Sequence, residues 1–192
     1  MGKEENKMRN GIKKTLFLII LTLCMLLILG MNQVVNADEV TKVKEWDVSA
    51  DDNKSKVTAT LYSDGSFVIS GTGDMKSFSK TCEYADYRKD IKIIEIKNGV
   101  TSIGYGAFED CTSLTSIVIP DSVTSIGGHA FYRCTSLASV TIGNNVTSIG
   151  SSAFAICISL TSIVIPDSVT SIGSNAFYYC NSLTEIKVAE DN

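Results

Sequence analysis

Residues 114–136 read L-T-S-I-V-I-P-D-S-V-T-S-I-G-G-H-A-F-Y-R-C-T-S, and the same wording returns with Leu114, Leu137, Leu160 and Leu183 at a step of 23, after Ile91 has opened the series. A fixed period of this length marks stacked supersecondary units that bury their apolar faces against one another, so the chain predicts a solenoid. The recurring positions are apolar, small or turn-forming. They are assigned to packing, and a binding surface is the expectation before a catalytic pocket.

Within each unit the fourth and sixth positions carry Ile94 and Ile96, Ile117 and Ile119, Val140 and Ile142, Ile163 and Ile165, then Ile186 and Val188. That alternation predicts a short strand with one face inward. A tight turn follows, Pro120-Asp121-Ser122 and Pro166-Asp167-Ser168, or Lys97-Asn98-Gly99 and Gly143-Asn144-Asn145. Val100, Val123, Val146 and Val169 then introduce Thr-Ser-Ile-Gly, a second extended segment ending at Gly104, Gly127, Gly150 and Gly173, where glycine is expected to supply a backbone angle other residues resist. The pairs Ala107-Phe108, Ala130-Phe131, Ala153-Phe154 and Ala176-Phe177, each with a Cys three residues after the Phe, fit one turn of helix. Stacked, the rings should form a continuous spine.

These residues carry a resemblance. The unit, with its IP-D-x-V-T-S-IG-x-x-AF-x-x-C wording over residues 91–192, looks like the leucine-rich repeats of BspA-type bacterial surface proteins, and Leu61 to Met75 resembles the amino-terminal cap of that family. The resemblance implies an α/β solenoid, a right-handed stack of strand, second extended segment and short helical turn under an amino-terminal β-hairpin cap. It also implies a secreted or surface-attached protein that binds host matrix proteins or other cells, without identifying the ligand.

Three segments are expected. Residues 1–37 form a signal peptide: Lys3, Lys7, Arg9, Lys13 and Lys14 precede an apolar run from Leu16 to Leu29, and Val35-Asn36-Ala37 ends in the small-x-small pattern that places cleavage after Ala37. An uncleaved anchor is disfavoured because that run is shorter than the ~20 residues a spanning helix needs. Leu23 is too bulky for a lipoprotein signal at Cys24, and Asn6 stands where myristoylation at Gly2 needs Ser or Thr. Residues 38–90 form the cap, with Val57, Ala59 and Leu61 alternating, a turn at Asp64-Gly65, and Phe67 and Ile69 returning as a hairpin. Trp46 is expected to bury the end of the stack, and Lys76 to Asp90 to be a loop or short helix. Residues 91–192 form the repeats, 91–113, 114–136, 137–159, 160–182 and a partial 183–192.

Removing residues 1–37 takes five basic and two acidic residues from totals of 17 and 21, leaving 12 against 19 and a net charge near −7. That balance, and a neutral hydroxyl-rich repeat with no basic stripe, argues against nucleic acid as a partner. Five cysteines remain, Cys82 and the column Cys111, Cys134, Cys157 and Cys180. An odd number leaves at least one unpaired, and with no CxxC spacing a column of buried thiols is expected over a disulfide or metal ladder.

No catalytic reading gains support. His129, the only histidine, occupies the variable position of Gly106, Ser152 and Asn175 and is expected to face solvent, with no nucleophile and base around it. HExxH, GxSxG and Walker patterns are absent. Gly71-Thr72-Gly73 lacks the third glycine of a nucleotide fingerprint and reads as a hairpin-end turn, and Asp121 and Asp167 read as turn residues rather than calcium ligands. No catalytic residue, cofactor or metal is therefore assigned.

Recognition falls to positions that vary. On the outward strand face these are Lys92, Ile93 and Glu95; Thr115, Ser116 and Val118; Ala138, Ser139 and Thr141; Thr161, Ser162 and Val164; Thr184, Glu185 and Lys187. On the turn side they are Tyr105, Tyr132, Arg133, Tyr178 and Tyr179, residue types that dominate interfaces but also shield cores. The candidate partner-binding set is Ser116, Val118, Ser139, Thr141, Ser162, Val164, Tyr132, Arg133, Tyr178 and Tyr179. Five strands at ~4.8 Å spacing give a face of roughly 480 Å², below the ~800 Å² per partner of a standard interface. Weak single-copy binding raised by avidity is expected. The last unit stops at Asn192 without its Ala-Phe turn, which suggests a fragment of a longer protein or self-association through the open end. The favoured function is a non-catalytic secreted adhesion module; the alternatives are a targeting arm or spacer of a larger cell-surface enzyme whose catalytic domain lies elsewhere.

Overall fold

A computed structural model describes residues 39–51, 53–78 and 82–189. The signal peptide and its cleavage after Ala37 lie outside the described residues.

Three strands come first, β1 Lys42–Asp47, β2 Lys56–Tyr62 and β3 Ser66–Asp74, joined antiparallel. Val57, Ala59, Leu61, Phe67 and Ile69 are buried as their alternation requires, and the chain reverses through Gly65, whose N–H donates to the Tyr62 carbonyl at 3.0 Å. Strand β1 was not legible beforehand, since only Trp46 among its six residues is buried. That indole meets Phe67, Tyr84 and Tyr87 edge-on at 6.1, 5.6 and 5.5 Å between centroids. The stretch up to Asp90 holds a short 3-10 helix, Ala85–Asp90.

Each unit then supplies two strands: β4 Ile93–Ile96 and β5 Val100–Ile103, β6 Ser116–Val118 and β7 Ser125–Ile126, β8 Ser139–Thr141 and β9 Ser148–Ile149, β10 Ser162–Ile165 and β11 Ser171–Ile172, and finally β12 Glu185–Val188. Members of successive units pair parallel, Ile94 with Ile117, Ile117 with Val140, Ser102 with Ser125 and Ser125 with Ser148. The result is a parallel solenoid in which the first strands make one ladder and the second strands another. The first ladder runs β4, β6, β8; β10 packs against β8 and pairs in parallel with β12.

Strand β3 joins the two ladders. Residues 66–69 pair with β4, and Gly73 and Asp74 pair with β5. Gly71 and Gly73 therefore do not form a hairpin-end turn; they lie within β3 at φ 117° and 95° and let one strand turn the corner between sheets. A Cβ on Gly71 would stand 1.9 Å from the Lys56 carbonyl oxygen, so only glycine fits.

The helical turn is corrected. Residues 127–134 are a chain of overlapping turns, because alternate N–H groups go to different places. Ala130, Tyr132 and Cys134 donate to carbonyls three residues back, whereas His129, Phe131 and Arg133 donate to Ser151, Ala153 and Ala155 of the next unit. A helix would keep all of these bonds to itself. His129 at φ 55° and Arg133 at φ 60° sit third in their turns, the φ pattern of type II turns, and the same positions repeat in Ser152, Ile156, Asn175 and Tyr179.

The glycines ending the second strands are also corrected. None of Gly104, Gly127, Gly150 and Gly173 has positive φ; they are needed because consecutive units touch there. A Cβ on Gly150 would lie 2.3 Å from the Gly128 nitrogen, and one on Gly173 2.4 Å from the Ser151 nitrogen.

The spine forms as expected. Phe108, Phe131 and Phe154 are buried and succeed one another at 5.3 and 5.1 Å, with Phe177 5.7 Å further, and Phe67 abuts Phe108 edge-on at 6.4 Å. The cysteine column is a column of free, buried thiols. Cys134, Cys157 and Cys180 donate S–H bonds of 3.2, 3.3 and 3.1 Å to the carbonyls of Phe108, Phe131 and Phe154 in the preceding unit. Burial pushes the Cys111 and Cys157 thiols up to about 12.

Candidate interaction surface

Each of the first four units presents its first strand with one face in the core and the other in solvent, since the pleat alternates. In β12 the expected inward residues Ile186 and Val188 are instead exposed, because no full unit packs over them among the described residues. Ile94, Ile117, Val140 and Ile163 are buried, while their neighbours Ile93, Glu95, Ser116, Val118, Ser139, Thr141, Ser162 and Val164 are exposed. Thr115, Ala138, Thr161 and Thr184 are exposed as well, and the column ends at the exposed Glu185 and Lys187. The strand half of the candidate set thus lies on one continuous face. Val118 is 64% exposed, the most of any valine or isoleucine in the first four units.

Charge on this face is confined to its two ends. Glu95 pairs with Lys97, and Lys187 pairs with Glu185 at 3.2 Å. The three units between carry serine, threonine, alanine and valine.

The hydroxyl-rich second ladder is less available than composition suggests. Thr124, Thr147 and Thr170 donate from Oγ1 to the carbonyls of Thr101, Thr124 and Thr147 at 3.1, 3.0 and 3.3 Å, so these side chains extend the inter-unit bonding. Asp121 is likewise a turn residue: its Oδ1 accepts the Asn144 N–H at 2.7 Å and its carbonyl accepts Asn145 Nδ2 at 2.8 Å.

The turn side holds the other candidates, in two groups. Tyr132 is half-buried and Arg133 exposed, the latter with Nε 3.1 Å from Asp110 Oδ1. Tyr178 and Tyr179 are exposed and meet edge to face at 4.7 Å. His129 does not simply face solvent. It is half-buried between Tyr105, stacked at 5.1 Å, and Tyr132, tilted at 4.8 Å. This cluster joins Tyr105 of one unit to His129 of the next, one position off the repeat register, so a comparison of aligned columns misses it. Counting one period plus one residue would have found it.

A model of the BspA type leucine rich repeat region matches residues 79–192 as six copies. No curated protein matches. Among solved structures the chain is similar to a leucine-rich repeat protein from Eubacterium ventriosum, 29% identical with a TM-score of 0.61, covering 78% of this chain and 45% of that one. It is also similar to the T. pallidum leucine rich repeat protein TpLRR, 28% identical with a TM-score of 0.55, covering 67% of this chain and 66% of that one. The chain therefore spans less than two thirds of the length of both.

Proposed function

Because the chain belongs to the BspA-type leucine-rich repeat family, we propose that it is an exported, non-catalytic interaction module that adheres to a protein or cell-surface ligand. Contact is made through Ser116, Val118, Ser139, Thr141, Ser162 and Val164 on the strand face, with Tyr132, Arg133, Tyr178 and Tyr179 contributing from the turn side. The observation carrying this reading is that every outward position of the first strands is exposed on one face free of charge in its middle three units, while the inward positions of the first four strands complete the core. The basic, apolar and small-residue segments of residues 1–37 support export, and surface placement follows from it. The thiols support the absence of chemistry, because buried cysteines held near 12 are not nucleophiles at neutral pH.

The test is binding of purified protein to immobilised extracellular-matrix proteins, displayed singly and as a multivalent array. The array is expected to bind and the single copy to bind weakly, since the face is about 480 Å². The combined variant Ser116→Arg, Ser139→Arg and Ser162→Arg should abolish capture with an unchanged circular dichroism spectrum. Capture that survives this variant would remove the strand face from the reading.

A further inference from the structure

Arg88 stands 23 residues before Cys111, at the place where each unit of the stack carries a buried thiol. Those thiols are small and neutral, and three of them donate to a carbonyl of the preceding unit, so packing gives no reason for a charge at this position. The arginine is nevertheless half-buried. Burial pushes the titration of Cys82, Tyr84 and Cys111 up and Arg88 opposes that rise in each, which places its guanidinium beside all three. Its Nη2 reaches the Gly106 carbonyl only at 3.5 Å, and its buried Nε has no hydrogen-bond partner among the described residues. No carboxylate among the described residues pairs with it, although acids outnumber bases in this chain by 21 to 17. A guanidinium offers five N–H donors, and a partly buried charge without a counter-ion is costly.

Arg88 lines a cleft of about 850 Å³ together with Asp86, Lys89, Asp110, Thr112 and Arg133, and Ala85 is the one apolar residue of its lining. Its walls are the 3-10 helix Ala85–Asp90 and the turns of the first two units. They are tied to one another: Ser113 Oγ donates to the Lys89 carbonyl at 2.7 Å, the Thr112 N–H to the Asp110 carbonyl at 2.8 Å, and Arg133 Nε lies 3.1 Å from Asp110 Oδ1.

We propose that this cleft binds a sugar bearing a single carboxylate, with the carboxylate on the Arg88 guanidinium and the Lys89 ammonium, and the ring hydroxyls on Asp86, Asp110 and Thr112. The site is separate from the strand face and shares only Arg133 with the surface proposed above. Charge selects the anion. Three cations and two carboxylates line the cleft, so one negative charge balances it, whereas a dianion or a polyanion would leave an excess in a chain that is already acidic. Fork geometry favours a carboxylate, which accepts two parallel bonds from a guanidinium. The polar lining selects the body: Asp86 and Asp110 accept from hydroxyls, Thr112 both donates and accepts, and an apolar group would find only Ala85. The volume lies within the range of small-molecule sites, about 300 to 1,000 Å³.

The test titrates the protein by NMR with sodium glucuronate, glucose, acetate and inorganic sulfate. Glucuronate should bind with a dissociation constant in the ~1 mM range. Glucose lacks the carboxylate, acetate the hydroxyls and sulfate both, and each should bind at least tenfold more weakly. Arg88→Gln keeps most of the side chain and should weaken glucuronate at least tenfold; Lys89→Gln, at an exposed position that folding does not depend on, should weaken it at least threefold. The combined Ser116→Arg, Ser139→Arg and Ser162→Arg variant should bind glucuronate as wild type does, so loss of matrix capture with glucuronate retained separates this site from the strand face. Glucose as tight as glucuronate overturns the carboxylate, and acetate or sulfate as tight overturns the sugar. No glucuronate binding at ~50 mM, or binding that both Arg88→Gln and Lys89→Gln leave unchanged, overturns the site.

Discussion

The phenol of Tyr84 donates a 2.6 Å hydrogen bond to the carbonyl of Ala107, 23 residues later. Inside the stack the equivalent carbonyls of Ala130, Ala153 and Ala176 accept from the N–H groups of Phe108, Phe131 and Phe154 in the unit before. Ala107 belongs to the first unit and has no such predecessor. A side-chain hydroxyl from the preceding segment stands in for a backbone donor, and its ring extends the aromatic column beside Phe67 at 4.9 Å and Phe78 at 5.3 Å. Tyr84→Phe keeps the ring and leaves a buried carbonyl without this donor, so it should cost about 1 to 3 kcal/mol. A urea midpoint equal to wild type would show that water or another donor reaches Ala107.

Phe131 has a ring neighbour on each side and is fully buried. Phe131→Ala should cost about 3 to 5 kcal/mol through the cavity left. Phe177 is only half-buried, and Phe177→Ala should cost clearly less. Equal losses in urea denaturation would contradict a spine whose strength depends on two-sided packing.

Adjacent glycines should respond very differently. At Gly150 the nearest atom to an added Cβ is backbone at 2.3 Å, which no rotamer change relieves; at Gly128 the nearest atoms are the Ser151 carbonyl at 3.1 Å and the Tyr105 ring at 3.2 Å. Gly150→Ala should destabilise by at least about 3 kcal/mol and Gly128→Ala by about 1 kcal/mol or less. Comparable midpoints for the two would mean the units stand further apart than described.

Alkali should unfold the protein in a defined window. The unfolded thiol titrates near 8.5, whereas Cys111 and Cys157 are held up to about 12 in the fold. Below about pH 8 both states keep their protons and these thiols leave stability unchanged. Between about 8.5 and 12 the unfolded chain releases protons that the folded one retains, and stability falls by up to about 1.4 kcal/mol per pH unit for each thiol. Urea midpoints from pH 6 to 11 should be flat and then decline, and in protein beginning at Asp38 all five thiols should react with a thiol reagent only after denaturation. Rapid labelling of the native protein at pH 8 would contradict the buried column.

Ile156 adopts φ 62°, a region that β-branched residues resist. The same position holds Asp110, Arg133 and Tyr179 in the other units. Ile156→Asn should stabilise by about 1 kcal/mol through relief of that strain, partly offset by lost apolar contact. A lowered melting temperature would show that the half-buried side chain contributes more than the backbone resists.

Most of the architecture was legible because the repeat writes each packing position four times. The alternation at Ile117 and Ile119, the spine at Phe131 and the thiol at Cys134 each follow from apolar spacing alone. What spacing could not separate was a helical turn from a run of tight turns, since both place Ala130 and Phe131 inward. The deciding quantity is where alternate N–H groups go, and that depends on the neighbouring unit. Gly150 misled for the same reason: its sequence records that no side chain fits, not whether φ or a neighbour forbids one. Strand β1 escaped because it buries a single residue, and the Tyr105–His129–Tyr132 cluster because it crosses the repeat register. The exposure of Val118 and Val164 follows from their outward places in the strand alternation.

Because the backbone bonds linking units run along the stack, a pull applied at its end loads them one unit at a time rather than all together. Extension should then proceed in steps, each freeing 23 residues and about 80 Å of chain, at low and nearly constant force. A stack built this way yields gradually under load and re-forms from the units that remain.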